Sequence, residues 1–311
     1  MEIKNCPLFG ICGGCKYDFT AKDYQCEKLK TLPKIKFTHD AIWGIAGGRR
    51  RADFAFVDGH FGFFKQKTKD IIDIKNCPNV VPEINAVLKD IAKLPWAGSG
   101  SVLITKCENG IDVAVNSVVP FSSAEFKTAV DKLPANIIRF TWNDKTLRKY
   151  INPTIRFNDK LLEYPTNAFL QPTTETEQIL RDLVVKYVDG AGHVADLFCG
   201  LGNFTFATGA TGFDIVGNGI KRDLFKKPLS VQNLNQYDVV IMDPPRAGAE
   251  KQSIELSKSN VKRVIYVSCN PNTFVRDKEI LERGGYKMTV AIPVDQFVGS
   301  IHWEIFSVFE K

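Results

Sequence analysis

No apolar run in this 311-residue chain approaches the length needed to cross a bilayer. Nor does the chain open like a signal peptide, since Met1-Glu2-Ile3-Lys4-Asn5-Cys6 has no basic start followed by an apolar stretch. Internal repeats and low-complexity tracts are absent, and nothing suggests collagen, coiled coil or disorder. The 44% hydrophobic and 24% charged residues are ordinary for a globular protein. A cytoplasmic protein of two domains with no membrane partner is therefore expected, with a monomer as the default state. The excess of base is small, a net charge of +6. That is compatible with a polyanionic partner but does not name one. In a reducing compartment the 8 cysteines point to metal ligation or catalysis rather than to disulfides.

What is present divides at about residue 165. Residues 1–165 read as short strands joined by tight turns. Asp58-Gly59, Asn109-Gly110 and Asn143-Asp144 each separate two β-rich runs and predict hairpins. One helix is predicted over about Pro82–Leu94. This half reads as an antiparallel α+β domain. In residues 166–311, Thr174 and Glu177 have capping-box spacing and open a helix. Apolar strands then alternate with helical stretches: Val194–Phe198, Tyr237–Met242, Val261–Ser268, Lys287–Ile292 and Trp303–Phe309. That alternation predicts a doubly wound α/β sheet.

Several motifs fall at strand ends. Asp196-Leu197-Phe198-Cys199-Gly200-Leu201-Gly202-Asn203 ends one strand and opens a helix. Gly200 and Gly202 permit a tight turn and close approach of backbone to a ligand, and a helix N-terminus there favours an anionic group. A plain strand–helix turn would use the same residues. Asp243-Pro244-Pro245-Arg246 follows another strand, placing a carboxylate and a stiff wall at the edge where open α/β sheets bind ligands. Ser268-Cys269-Asn270-Pro271 ends the next. Pro271 suits a first helical turn, so Cys269 is expected at a helix N-terminus with a lowered pKa and thiolate character. Glu304, beside Trp303 at a strand start, reads from spacing alone as a merely exposed residue, with a general base as the other reading. Cys6, Cys12 and Cys15 form C-x5-C-x2-C, with Cys77 as a plausible fourth ligand, and four thiolates suit either structural zinc or a [4Fe-4S] cluster. Cys26, Cys107 and Cys199 have no obvious partner and are taken as structural.

Together these segments resemble the RNA uracil-5-methyltransferases over nearly the whole chain. The carriers are the C-x5-C-G-G-C start, Phe169-Leu170-Gln171, the glycine loop, Asp243-Pro244-Pro245-Arg246-Ala247-Gly248, Ser268-Cys269-Asn270-Pro271 and His302-Trp303-Glu304. The resemblance implies a class I methyltransferase domain of Rossmann-like, seven-stranded type behind an N-terminal iron–sulfur domain. It implies a [4Fe-4S] cluster on Cys6, Cys12, Cys15 and Cys77, as in the members acting on 23S ribosomal RNA. It implies S-adenosylmethionine held by Gln171, Phe198, Gly200, Gly202, Asn203 and Asp243, with Asp214 aligned to the ribose-binding acid and Asp223 to the adenine-side residue. Cys269 becomes the nucleophile and Glu304 the base in methylating carbon 5 of a uridine in ribosomal RNA, with transfer RNA second.

Two departures stand out. The N-terminal RNA-binding barrel common in the family is not expected ahead of Cys6, so Arg49-Arg50-Arg51 and the alternating Lys65, Lys67 and Lys69 become candidate phosphate contacts. The segment from Gly200 through Asp214 to Asp223 is also too short for the usual helices. An amino-group methyltransferase would use Asp-Pro-Pro but leave Cys269 and Glu304 unexplained. An RNA-binding assembly factor that has lost turnover would explain the trimmed segment.

Overall fold

The computed structural model describes residues 6–143 and 145–311; the opening segment 1–5 and Asp144 of the third predicted turn lie outside the described residues. The chain forms two compact units. One comprises residues 6–28, 45–174 and 298–301, and the other 29–44, 175–297 and 302–311. Each is thus built from more than one stretch of chain, where the sequence suggested a single division at 165/166. The loop 298–301 joins the first unit because Gly299 O accepts from the backbone of Lys16 and Tyr17 at 2.7 and 2.9 Å. Residues 29–44 join the second because Ile42 pairs with Val294.

The first unit begins with helix α1 (Tyr24–Leu29), which crosses its boundary. It continues through β1 (Arg51–Val57), β2 (His60–Phe64), β3 (Ile71–Asp73), α2 (Pro82–Ile91), β4 (Ser99–Cys107), β5 (Gly110–Ser117), α3 (Ala124–Asp131), β6 (Ile137–Trp142), β7 (Lys145–Lys149), β8 (Thr154–Phe157) and β9 (Lys160–Glu163). Its main sheet has the order β3-β2-β1-β4-β5-β6-β7. The strand pairs flanking the three predicted turns are present, with Gly110 of the second turn already in β5. Asp58 and Gly59 take φ of 40° and 90°, the left-handed pair a two-residue turn requires. The expected all-antiparallel sheet is corrected at one place, because β5 and β6 pair in parallel. Parallel strands need a crossover, and the stretch containing α3 supplies it. One core, including Phe54, Phe56, Trp96, Val113 and Phe140, lies under this sheet.

The second unit carries α4 (Thr174–Val188), β10 (Val194–Leu197), α5 (Asn203–Thr208), β11 (Thr211–Asp214), β12 (Ile220–Lys221), α6 (Val231–Leu234), β13 (Val239–Met242), α7 (Glu250–Ser257), β14 (Arg263–Ser268), α8 (Pro271–Arg283), β15 (Lys287–Val294) and β16 (Glu304–Glu310). Its seven strands run β12-β11-β10-β13-β14-β16-β15. All neighbours are parallel except β16, which is antiparallel to both β14 and β15. Successive residues of β13 alternate between two cores, Val240 and Met242 in one and Val239 and Ile241 in the other, as the twofold strand period demands when both faces are covered. The order reverses at β10/β13. The carboxyl ends of β10, β13 and β14 therefore share one edge, where such sheets bind ligands.

Candidate active site

The turn after β10 is held in an unusual backbone shape. Phe198, Gly200 and Gly202 have φ of 63°, 52° and 95°. A left-handed phenylalanine costs about 1–3 kcal/mol and is characteristic of functional sites. The loop is braced from the β11 side. Asp214 Oδ2 accepts from Gly200 N at 2.9 Å and Oδ1 from Val216 N at 3.0 Å. Asn218 closes the other side, donating to the carbonyls of Gly200 and Leu201 at 3.2 and 3.0 Å. A Cβ on Gly217 would lie 1.8 Å from Gly200 O, so this approach requires glycine. The shortened segment is thus a turn packed on the glycine loop, with no helix between Asp214 and Ile220. The helix the loop opens, α5, has only six residues.

Asn203 opens α5. Its Oδ1 accepts from Arg181 Nε at 2.8 Å, while its buried Nδ2 has no hydrogen-bond partner. A buried donor in that state costs free energy until a ligand satisfies it. Asp223 is engaged locally, its Oδ1 accepting from Phe225 N and Lys226 N, both at 3.1 Å. Phe198 and Phe225, ring centroids 5.3 Å apart, help line a cleft of about 140 Å³ with Leu224 and Gly248. Gln171 belongs to the first unit. It is buried, and its carbonyl accepts from Arg50 Nε at 3.1 Å. Arg50 is therefore buried in an internal bond, not presented as the phosphate contact the arginine run suggested. Arg51 lies 5.9 Å from the exposed Phe169 ring.

Glu304 opens β16, and Cys269 follows the end of the adjacent antiparallel strand β14. Ser268 pairs with Ile305, so the next step outward sets Cys269 beside Glu304. Asn270 caps α8 by accepting from Asn272 N at 3.1 Å, and its Nδ2 donates to Arg246 O at 2.8 Å. That bond ties the Cys269 turn to the Asp243-Pro244-Pro245-Arg246 turn. The thiol does not behave as the helix position predicts. Burial, then the Glu304 and Asp243 carboxylates, push its pKa up to about 12, against a smaller opposing effect of Arg246. Desolvation and two like charges outweigh the helix terminus, so Cys269 rests as a thiol. Glu304 is also buried, and desolvation followed by Asp243 holds its carboxyl well above the usual range. Gln296 Nε2 donates to Glu304 Oε2 at 3.2 Å, and Oε1 has no partner. Sequence reading missed Gln296; its only signal is a polar pair, Asp295-Gln296, closing an apolar strand.

Cys6, Cys12, Cys15 and Cys77 are half-buried free thiols. Burial, foremost, raises the pKa of Cys12, Cys15 and Cys77. Cys6 adds to the effect at Cys12 and Cys77, and Cys77 and Cys12 to that at Cys15. The four sulfurs are thus electrostatic neighbours, although among the described residues no three His, Cys, Asp or Glu side chains are gathered into a closed metal site. Two sulfurs carry N–H donors, Gly14 N at 3.3 Å from Cys12 Sγ and Asn79 Nδ2 at 3.8 Å from Cys15 Sγ. A soft, all-sulfur donor set with N–H···S contacts fits an iron–sulfur or zinc centre. Of the cysteines taken as structural, Cys107 and Cys199 are buried and Cys26 is exposed. No helix among the described residues is long and apolar enough to cross a membrane.

The chain resembles several known proteins. The sequence model of the tRNA (uracil-5-)-methyltransferase family matches residues 220–311. An uncharacterized RNA methyltransferase of Brucella melitensis is 34% identical over 98% of this chain and 84% of its own. One of Agrobacterium fabrum is 31% identical, covering 97% and 83%. Among solved structures, the Pyrococcus abyssi tRNA (uracil-54, C5)-methyltransferase in complex with S-adenosyl-L-homocysteine superposes with a TM-score of 0.73 at 20% identity, over 99% of this chain and 88% of that one. That likeness shows a shared class I methyltransferase fold.

Proposed function

We propose that this chain, which belongs to a family of RNA methyltransferases and whose residues 220–311 match the tRNA (uracil-5-)-methyltransferase model, methylates carbon 5 of a uridine in RNA through a covalent adduct on Cys269. The observation that carries this reading is the juxtaposition of Cys269, just past the end of β14, with the buried Glu304 and with Asp243, close enough for both carboxylates to act on the thiol. An amino-group methyltransferase has no use for that pair, and a pure RNA binder no reason to pay for burying Glu304.

S-adenosylmethionine, when bound, supplies an electrophilic methyl group. Asn203 Nδ2 is the donor available to its polar end. The cleft that Phe198 and Phe225 help line is the place for the planar purine. Asp214 holds the glycine loop and faces the ribose side. Gln171, Gly200, Gly202, Asp223 and Asp243 complete the proposed contacts. The target base must leave its stack to reach the thiol. Cys269 first releases its thiol proton to solvent, its sulfur adds to carbon 6 as the thiolate, and the electron pair of the carbon 5–carbon 6 double bond moves onto the carbon 4 carbonyl as an enolate. Carbon 5 then takes the methyl group, whose bond to the donor's sulfonium sulfur breaks to leave a neutral thioether. Glu304 in its ionised form takes the carbon-5 proton, which re-forms the double bond and expels the sulfur. The high proton affinity that burial gives Glu304 suits it to that role.

Cys6, Cys12, Cys15 and Cys77 would hold a [4Fe-4S] cluster, which supplies a rigid cross-link between the two cysteine-bearing loops. Ribosomal RNA is the proposed substrate, following the cysteine-rich start, with transfer RNA as its competitor. Nucleoside analysis after reaction with each RNA tests this. New 5-methyluridine in 23S ribosomal RNA supports it, and formation only in transfer RNA moves the target. Iron and sulfide in anaerobically purified protein support the cluster, whereas stoichiometric zinc without iron refutes it.

A further inference from the structure

Within the first unit, Asn79 joins a cysteine loop to the segment at Val298 through its side chain and to Arg49 through its backbone. It is buried, with 6% of its surface exposed. Its Nδ2 lies 2.9 Å from Val298 O and 3.8 Å from Cys15 Sγ, and its backbone carbonyl accepts from Arg49 N at 3.2 Å. The adjacent Arg50 binds the segment of Gln171, through N to Pro172 O at 2.8 Å and through Nε to Gln171 O at 3.1 Å.

The Val298 side is gripped as firmly. Gly299 N donates to Tyr24 Oη at 3.0 Å, and Gly299 O receives the backbone N–H groups of Lys16 and Tyr17, the residues directly after Cys15. Gly299 has φ of +80°, and a Cβ there would stand 3.0 Å from Cys15 Sγ. Only glycine lets the backbone pass the sulfur at this distance without strain. Residues 298–299 therefore rest on Cys15 and its neighbours, and the chain runs from them directly to Glu304.

We infer that Asn79 is a positioning residue that anchors the chain entering Glu304 to the cysteine centre, by dividing its amide between Val298 O and Cys15 Sγ. This rests on the reading of Glu304 as the base. Without the amide, Val298 O loses its donor and the approach to β16 loosens. Carbon-5 deprotonation should then slow, while the methyl-donor contacts on the second unit are untouched.

The test uses the full chain with Asn79→Asp, which keeps the shape but removes the donor, and Asn79→Ser as a smaller second variant. Hydrogen exchange is followed by mass spectrometry at Lys16–Tyr17 and Gly299, with the β4–β5 hairpin as internal control. The inference predicts exchange about ten-fold faster at those sites and unchanged in the hairpin. It also predicts kcat lowered about ten-fold or more, with KM for the methyl donor within about three-fold of wild type. Wild-type exchange at Gly299 in both variants overturns it, as does faster exchange throughout the protein. If the wild type transfers no methyl group to uridine, the functional reading fails by itself and the exchange comparison still decides the role of Asn79.

Discussion

Gln296 gives its side-chain amide to one oxygen of Glu304 at 3.2 Å and leaves the other, Oε1, buried with no partner. The carboxyl is thereby fixed in orientation with one oxygen left for a substrate proton. If Glu304 removes the carbon-5 proton, Glu304→Gln blocks release of the sulfur after methylation. Denaturing gels should then show a slower protein band that nuclease digestion abolishes. Gln296→Leu should keep the reaction but lower kcat by about ten-fold, through lost orientation. A Glu304→Gln protein that turns over normally removes Glu304 from the mechanism.

Cys269 is held as a thiol, with its pKa pushed up to about 12 by burial and the two carboxylates. Only the thiolate is alkylated, so iodoacetamide should label Cys269 at pH 7.5 about ten-fold or more slowly than the exposed Cys26, as read by peptide mass spectrometry. The raised pKa of Glu304 acts in the same direction, since the base also works in its ionised form. kcat/KM should therefore climb with pH through the neutral range rather than level off near pH 7. Rapid labelling of Cys269 at neutral pH would show that the thiolate is preformed.

Asp196 is a buried acid at the end of β10. Thr205 Oγ1 donates to its Oδ2 at 2.6 Å, and Oδ1 has no partner. Burial lifts its pKa to about 7 against an ordinary 3.8. The folded state therefore binds more protons than the unfolded chain between these values. This contribution to stability falls as pH rises from about 4 to 7 and is then fully lost, a change on the order of a few kcal/mol. Urea midpoints measured from pH 5 to 8 should decline in wild type and flatten in Asp196→Asn. Parallel profiles for the two proteins would mean that Asp196 is ionised in the fold.

Local chemistry carried most of what the sequence revealed. Asp58-Gly59 announced its hairpin because few residue pairs accept two positive φ values. The strands ending at Leu197, Met242 and Ser268 were visible as short apolar runs, which placed the glycine loop, Asp243 and Cys269 on one edge. What escaped depends on distant partners. The parallel pairing of β5 with β6 is a non-local choice that periodicity does not encode. The direction of the Cys269 shift comes first from burial and then from the Glu304 and Asp243 carboxylates, which a view of its own helix cannot include. Asn79 reads in Asn76-Cys77-Pro78-Asn79 as a turn residue. Its bond to Val298 spans most of the chain, as does the placement of 298–301 in the first unit.

The most direct measurement of the central claim is tritium release from RNA labelled at uridine carbon 5, with S-adenosylmethionine, for wild type and Cys269→Ala. The account predicts cofactor-dependent release by the wild type and none by the variant, although both bind the cofactor. Equal release by Cys269→Ala, or none by a wild type that binds the cofactor and methylates RNA elsewhere, would contradict carbon-5 methylation through this thiol.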